Sequence, residues 1–170
     1  MSDDLIMGRN TVLEALRSER DIHKIWVAEG ATKGQIQQVI AVAKENKVMI
    51  QVVPKKKLDQ MVEGNHQGVI AQVAAYQYAE LDDIFRLAEK KQEDPFILLL
   101  DELEDPHNLG SILRTADASG VHGIIIPKRR AVGLTATVAK SSTGAIEHVP
   151  VVRVTNLSRT IEELKERGVW

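Results

Sequence analysis

Apolar residues recur along the chain at helical spacing in some segments and as short continuous runs in others. Because these two kinds of segment alternate, the pattern predicts an α/β protein. Ile36, Val39, Ile40 and Ala43 fall at helical spacing, whereas short apolar runs bounded by polar residues indicate buried strands. Strands joined by helices favour a mostly parallel sheet with right-handed crossovers. The predicted strands are 22–28, 48–53, 69–75, 96–100, 123–127 and 149–154, and the predicted helices are 11–19, 34–46, 55–63, 81–92, 108–119, 136–142 and a last one that runs through residue 167.

Residues suited to helix ends mark several of these boundaries. Asn10, Asn108 and either Asn156 or Ser158 are predicted N-caps, because a short polar side chain can accept hydrogen bonds from free backbone amides. Gly168 is predicted to end the last helix, since glycine adopts a left-handed conformation without strain.

The order of elements predicts two domains. Residues 1–75 form a compact α/β domain, residues 76–95 hold a linker (76–80) and an acidic helix, and residues 96–170 begin a second series of strands and helices. Val169 and Trp170 follow a helix-ending glycine and resemble the start of another strand. We therefore expect the sequence to be a fragment of a longer protein.

Composition narrows the classes of function. The chain has 170 residues and no cysteine, which excludes disulfides, a thiol nucleophile and a cysteine-based zinc site, and which is in keeping with a cytoplasmic location. Residues 1–4 lack the features of a signal peptide, and no apolar run approaches the roughly 20 residues of a membrane span.

Charge is distributed unevenly along the chain, although the net charge is only −2. Residues 76–105 carry ten acidic and three basic side chains, and the flanking segments are mildly basic. Binding to RNA would therefore rest on local patches such as 55–57 and 128–130, which on charge alone are ordinary solvated groups.

The segment after the predicted strand 96–100 has the composition of a ligand site. Asn108 suits the start of a helix, and Gly110 allows another chain or a ligand to approach its first turn. Arg114 lies about a turn and a half beyond Asn108, and its guanidinium together with the helix start suits an anion at the carboxyl edge of the sheet. The alternative is a plain capped helix in which Arg114 pairs with Asp101 or Asp105.

Two segments resemble motifs of the SpoU-type ribose methyltransferases of the SPOUT superclass. The sequence Asp-Pro-His-Asn-Leu-Gly-Ser-Ile-Leu-Arg-Thr-Ala at 105–116 matches the first motif of that family, and Ser-Ser-Thr-Gly-Ala-Ile-Glu-His-Val-Pro at 141–150 resembles its Ser-x-Gly-Ala-x-Glu-x-x-Pro segment. Residues 1–75 are similar to the small RNA-binding domain that precedes the catalytic domain, a relative of kink-turn-binding ribosomal proteins. Gly8-Arg9-Asn10 and His66-Gln67-Gly68 stand at its characteristic places.

The resemblance implies both a fold and a reaction. The fold is a small RNA-binding α/β domain followed by the first half of a SPOUT domain, which is a knotted, Rossmann-like parallel sheet. The reaction transfers a methyl group from S-adenosylmethionine to a ribose 2′-hydroxyl. The most similar members methylate a guanosine in large-subunit (23S) ribosomal RNA during rRNA processing, and the full-length family is homodimeric.

The family assigns two residues of the first motif to catalysis. Arg114 is held to activate the ribose hydroxyl, and Asn108 to order the site. Because a guanidinium keeps its proton in proteins, we expect Arg114 to act as a phosphate clamp that positions the ribose and steadies the developing alkoxide. No metal is expected.

Candidate RNA contacts lie in the first domain, because unpaired RNA bases stack on flat side chains and bind in loops. Aromatic residues make up only 4% of the chain, so a broad stacking platform is not expected. The candidates are Arg9, Asn10, Lys55, Lys56, Asn65, His66 and Gln67.

The sequence departs from the family in lacking a Gly-Ser-Glu-Gly-like strand end and a Ser-Leu-Asn-Val-like segment. The resemblance assigns the cofactor pocket, the knot and most of the dimer interface to those motifs. The cofactor-binding residues are therefore expected beyond Trp170, and this chain is expected neither to bind S-adenosylmethionine tightly nor to turn over.

Two other functions remain open. The chain could serve as an RNA-binding or ribosome-assembly module without catalysis. A different nucleotide-binding α/β enzyme is least favoured, because no Gly-x-Gly-x-x-Gly or Walker-type loop follows any predicted strand.

Overall fold

The computed structural model describes residues 4–18, 20–31 and 34–170, and the chain divides into two compact units, Met1–Ala75 and Tyr76–Trp170. Among these described residues, no helix combines the length and apolar character needed to cross a bilayer. Each unit is an α/β structure with its own sheet and with apolar cores on both faces of that sheet, so the predicted α/β class is confirmed.

The first unit contains a four-stranded sheet in the order β1-β4-β2-β3. Strand β2 is parallel to β3, whereas β4 is antiparallel to both β1 and β2. The sheet of this unit is thus mixed, and the prediction of mostly parallel strands is wrong for it. Its elements are β1 (Leu5–Met7), α1 (Arg9–Arg17), β2 (Ile22–Ala28), α2 (Gln35–Glu45), β3 (Met49–Val53), α3 (Lys55–Met61) and β4 (Val69–Val73).

Alternate residues of β2 enter two cores on opposite faces of this sheet. Ile25 and Val27 join the core that includes α1 and α2, and Trp26 and Ala28 join the core that includes Leu58 of α3. This alternation is what the period of two in a β-strand requires when both faces are covered.

The second unit contains a three-stranded parallel sheet in the order β5-β6-β7. Strand β6 lies in the middle and is buried over four of its five residues, as expected for a parallel strand covered on both faces. Its elements are α4 (Leu81–Lys91), β5 (Ile97–Leu99), α5 (Pro106–Ala118), β6 (Gly123–Pro127), α6 (Ala136–Ser141), a 3₁₀ turn (Ala145–Glu147), β7 (Val151–Val154) and α7 (Leu157–Glu166).

Helices cover both faces of the second sheet. Ile124 and Ile126 pack in a core with α5 and α6, and Ile125 packs in a core with Ile84 of α4 and Leu164 of α7. A Cβ added at Gly123 would collide with the side chain of Ile84. The glycine therefore sets how closely α4 approaches the sheet.

The predicted helices and strands all occur, with differences at their ends. The prediction that Asn10 caps α1 is wrong, because the helix begins at Arg9 with Gly8 as its N-cap. The helix ends at Arg17, and its predicted end, Glu19, lies outside the described residues, as do residues 1–3. Asn156 is the N-cap of α7 and accepts a hydrogen bond from the Arg159 amide, which resolves the choice between Asn156 and Ser158.

Three further details of local structure differ from what the sequence predicts. Strand β1 was not predicted, and no strand is formed at 169–170: Val169 packs against the α4 and α7 core, and the side chain of Trp170 is fully exposed. The predicted linker 76–80 is held within the second unit, because the backbone amide of Ala79 donates to Val151 and Ala79 forms a parallel bridge with Val152.

Candidate functional site

Asp105 caps α5 and thereby fixes the start of the predicted catalytic segment. Its carboxylate accepts hydrogen bonds from the backbone amides of His107 (2.7 Å) and Asn108 (3.2 Å). Pro106 occupies the first helical position, where its missing N–H costs nothing. The prediction that Asn108 is the N-cap is therefore wrong, and Asn108 lies in the first turn of the helix with an exposed side chain.

The segments 105–116 and 141–150 meet where α5 crosses α6. A Cβ at Gly110 would overlap the side chain of Ser141 and would lie 2.9 Å from the Ser141 backbone carbon. The Ser141 hydroxyl also donates to the Pro106 carbonyl at 3.3 Å. The close approach that was expected at Gly110 is thus made by α6 of the same chain.

Arg114 is exposed, and among the residues that the structure describes no carboxylate forms an ion pair with it. The alternative in which Arg114 pairs with Asp101 or Asp105 is therefore not realised. Arg114 is six positions after Asn108, which in an α-helix puts the two residues about 9 Å apart along the axis and about 120° apart around it. The structure leaves both side chains accessible but does not direct them to one point.

Tyr76 and Glu147 form a hydrogen-bonded pair beside the 3₁₀ turn of the second motif. The Tyr76 hydroxyl donates to Glu147 Oε1 at 2.8 Å. This hydrogen bond, with smaller contributions from desolvation and from the carboxylate charge, raises the pKa of Tyr76 above its ordinary value of 10.0. The pair ties the beginning of the second unit to the turn at Ala145–Glu147.

A basic loop, defined as residues 128–130, follows β6 at the carboxyl edge of the second sheet. All three of its side chains are exposed. The backbone amide of Lys128 donates to Val154 at 2.8 Å, and that of Val132 donates to Leu103 at 2.7 Å. The loop is thus fixed at both ends, to β7 and to the loop after β5.

In the first unit, the loop 64–68 is organised by a buried histidine. His66 Nδ1 accepts from the Gly68 amide at 2.9 Å, and its Nε2 lies 2.8 Å from Asp59 Oδ1. Because Nδ1 acts as an acceptor, Nε2 carries the proton and donates it to the carboxylate. His66 is only 4% exposed, so it shapes the loop and does not present its ring to a base, contrary to the expectation of stacking.

Gln67 connects this loop to the start of α1. Its side-chain oxygen accepts from the Arg9 backbone amide at 3.0 Å, and its carbonyl accepts from Arg9 Nε at 3.2 Å. Gln67 therefore supplies the cap that Gly8 lacks. Asn10, one residue further on, accepts from the Gln35 side chain at 3.1 Å.

The loop and α3 enclose a polar surface cavity of about 250 Å³. Of the predicted RNA contacts, Lys55, Asn65, His66 and Gln67 line it, whereas the exposed Lys56 does not. The lining also includes Asp59, which the sequence analysis missed. Asp59 is four residues after Lys55 on one helix, so helical spacing alone could have indicated that the two share a face.

No group of three or more His, Cys, Asp or Glu side chains within the described ranges is arranged to hold a metal ion.

Comparison with known proteins matches each unit to a family model. Residues 5–79 match the family described as RNA 2′-O ribose methyltransferase substrate binding, and residues 95–170 match the SpoU rRNA Methylase family. YacO of Bacillus subtilis (strain 168), whose name places it in the TrmH family of tRNA/rRNA methyltransferases, is 69% identical over 167 residues, which are 98% of this chain and 67% of YacO. A protein with the same family name from Staphylococcus haemolyticus (strain JCSC1435) is 57% identical over 170 residues, which are 100% of this chain and 68% of that protein.

Among solved structures, the SpoU methyltransferase AviRb from Streptomyces viridochromogenes in complex with the cofactor AdoMet is 23% identical, with a TM-score of 0.45. The match covers 96% of this chain and 58% of AviRb. The chain thus spans about two thirds of the length of the relatives above and a little over half of this solved chain.

The contact between Gly110 and Ser141 predicts an unusual response to substitution. Replacing glycine by alanine inside a helix ordinarily stabilises by about 1 kcal/mol, but we expect Gly110→Ala to destabilise the second unit by about 1–3 kcal/mol because the added methyl has no room. Ser141→Gly should recover part of that loss in the double variant. Hydrogen exchange of the α5 amides measures the effect, and Ser111→Ala, at the exposed neighbouring position, is the control. Stabilisation by Gly110→Ala would contradict the close contact.

The pair of Tyr76 and Glu147 predicts a shifted tyrosine titration. In a Tyr78→Phe background Tyr76 is the only tyrosine, and its ultraviolet absorbance should report a pKa above 10.0 that falls when Glu147 is replaced by Gln. Since the folded-state pKa is raised, the stabilisation from this bond is fully present below the ordinary tyrosine pKa and is lost as the pH rises through the folded-state value. An unchanged titration midpoint in Glu147→Gln would show that the bond does not form.

Proposed function

Because this chain belongs to the SpoU family of RNA methyltransferases, we propose that it provides the RNA-binding part and the ribose-positioning part of an RNA 2′-O-methyltransferase. S-adenosylmethionine is the cofactor of the family and supplies the methyl group when it is bound. The proposed acceptor is a ribose 2′-hydroxyl of a guanosine in large-subunit (23S) ribosomal RNA. The proposal also includes a cytoplasmic location, a role in rRNA processing and a homodimeric full-length protein.

The observation that carries this proposal is that the side chain of Arg114 is exposed and forms no ion pair among the described residues. Arg114 also stands in the motif 105–116. An arginine that serves stability is usually paired or packed, whereas an accessible guanidinium can bind a phosphate through two parallel hydrogen bonds. We infer that Arg114 binds the phosphate next to the target ribose and steadies negative charge on its oxygen.

Asn108 is proposed to order the start of this site. Its side chain is exposed in the first turn of α5, where Asp105 already satisfies the Asn108 backbone amide. The side-chain amide is therefore available to bind a group of the RNA. Its separation from Arg114 along and around the helix means that the two residues would hold different groups of one extended substrate.

An apolar cavity in the second unit does not fit the cofactor. This cavity, of about 440 Å³, is lined by Ile97, Leu99, Ile161, Leu164, Lys165, Val169 and Trp170. No side chain in that lining can accept hydrogen bonds from ribose hydroxyls or an adenine amine. We propose that this chain alone binds RNA without transferring a methyl group.

Two basic surfaces support RNA binding. In the first unit, Arg9 and Lys55 flank the loop 64–68. In the second unit, the three cations of the basic loop are exposed and fixed in place by backbone hydrogen bonds at both ends of the loop. Exposed positive groups attract RNA phosphates and release counterions on binding. These same surfaces would serve the second candidate function, an RNA-binding or assembly module without catalysis.

Substitution of Arg114 distinguishes these functions. We expect the chain to bind fragments of 23S ribosomal RNA, and Arg114→Ala to weaken binding only a few-fold and to reduce the salt dependence by about one phosphate contact. Arg159→Ala, at an exposed arginine of α7 in the same unit, is the matched control and should change neither. Filter binding over a range of salt concentrations makes the measurement, with a transfer RNA as the competing substrate.

Three outcomes would contradict parts of this proposal. Methyl transfer from labelled S-adenosylmethionine by this chain would refute its expected inactivity. Complete loss of RNA binding in Arg114→Ala would make Arg114 an anchor for the whole RNA and would favour the non-catalytic module. Failure of the unaltered chain to bind any RNA would refute the function itself.

A further inference from the structure

The cavity of about 250 Å³ between α3 and the loop 64–68 is lined by one carboxylate, that of Asp59, and one cation, that of Lys55. It is smaller than the roughly 300–1,000 Å³ of sites that hold whole small molecules, so it suits a fragment of a larger ligand. Resting on the RNA-binding function proposed above, we propose that this cavity is a subsite for one unpaired guanine of the RNA, with Asp59 accepting hydrogen bonds from its Watson–Crick edge.

The carboxylate of Asp59 is oriented by a buried group. His66 donates from Nε2 to Asp59 Oδ1 at 2.8 Å, and the histidine is itself held by the Gly68 amide on its other nitrogen. Oδ2 of Asp59 has no hydrogen-bond partner among the described residues, and the side chain is 56% exposed. Since each carboxylate oxygen has two acceptor positions, both oxygens remain able to accept from a ligand.

The two carboxylate oxygens of Asp59 lie in one plane and both accept hydrogen bonds, so they favour a base that presents two adjacent donors. Guanine presents two adjacent donors, N1–H and the 2-amino group, which match two carboxylate oxygens. Adenine and cytosine present one amino donor beside an acceptor nitrogen, and uracil presents one N–H between two carbonyls. Each of these would place an acceptor against a carboxylate oxygen, so that one hydrogen bond is replaced by repulsion between two acceptors. The carboxylate therefore favours guanine.

The same carboxylate argues against a phosphate as the occupant. A phosphate in the cavity would bring two negative charges together at short range, whereas an uncharged base would not. Lys55 lines the cavity and Lys56 is exposed next to it on α3. These two cations suit the phosphates on either side of the bound base, as in other sites for single-stranded RNA.

The backbone of the loop keeps the cavity open. Gly64, Gln67 and Gly68 all have positive φ, at 120°, 52° and 82°. Gln67 holds its unusual conformation through two hydrogen bonds with Arg9. The cavity thus has its shape before RNA arrives, which lowers the ordering cost of binding.

Binding of short RNAs that differ in one base tests this subsite. The probes are an oligouridine and the same oligomer with a central guanosine, inosine or adenosine, measured by fluorescence anisotropy with the full chain at one fixed, low salt concentration. We expect guanosine to bind about tenfold more tightly than oligouridine, inosine to lose part of this gain because it lacks the 2-amino group, and adenosine to gain nothing.

Asp59→Asn is the decisive variant, because asparagine can still accept from His66 while an amide donor replaces Oδ2. The guanosine preference should fall to about twofold or less, although the loss of a negative charge should strengthen binding to all RNAs. Glu45→Gln removes the same charge from an exposed position at the end of α2 and should leave the preference unchanged. The Gly68 amide resonance reports whether the loop is intact in each variant.

The results separate this inference from the function on which it rests. Equal binding of all four oligomers, or an unchanged preference in Asp59→Asn, would overturn the guanine subsite and leave RNA binding standing. Absence of binding to every oligomer and to ribosomal RNA would overturn both.

Discussion

Helices α5 and α6 pack so closely that no side chain fits at Gly110. The positions of the two motifs in the second unit depend on this close packing. Gly110 lies between Asp105, which starts the helix, and Arg114, which the helix presents to solvent. Ser141 fills the space a side chain would take and donates to the Pro106 carbonyl. The two motifs that carry the family resemblance are thus joined through packing, and the exposed positions of α5 are set relative to the turn at Ala145–Glu147.

Most helices and strands could be predicted from local sequence because their apolar patterns are long and clearly bounded. Strand β6 begins with a glycine, continues as an uninterrupted run of three isoleucines and ends at a proline, and the structure gives it the predicted bounds. Strand β1 was missed because three residues carry too little pattern, and its pairing with β4 comes from the far end of the unit. The cap at Asn10 was wrong for a similar reason, since Gln67 from a distant loop satisfies the Arg9 amide.

In the candidate site, the sequence predicts the exposure of some residues correctly and that of others wrongly. The exposure of Arg114 follows from helical spacing, since the apolar positions of α5 point to the core. The buried position of His66 does not follow from the sequence, because a histidine two residues before a glycine could equally be an exposed contact to an RNA base. Its burial depends on Asp59 and on the Gly68 amide, which only the folded loop brings to it. Sequence reasoning thus misplaced His66 because its partners, although only two and seven residues away, are brought to it by the fold of the loop.

The strand order of the first unit has a consequence for how this chain folds during synthesis. Strand β4 is made last, yet it lies between β1 and β2, and Leu5 pairs with Gln72. Until β4 leaves the ribosome, β1 has no neighbour in the sheet and β2 can pair only with β3. Sheets closed by such distant pairing form slowly and expose unpaired edges in the meantime. The nascent first unit is therefore open to association with other chains until its final strand is inserted.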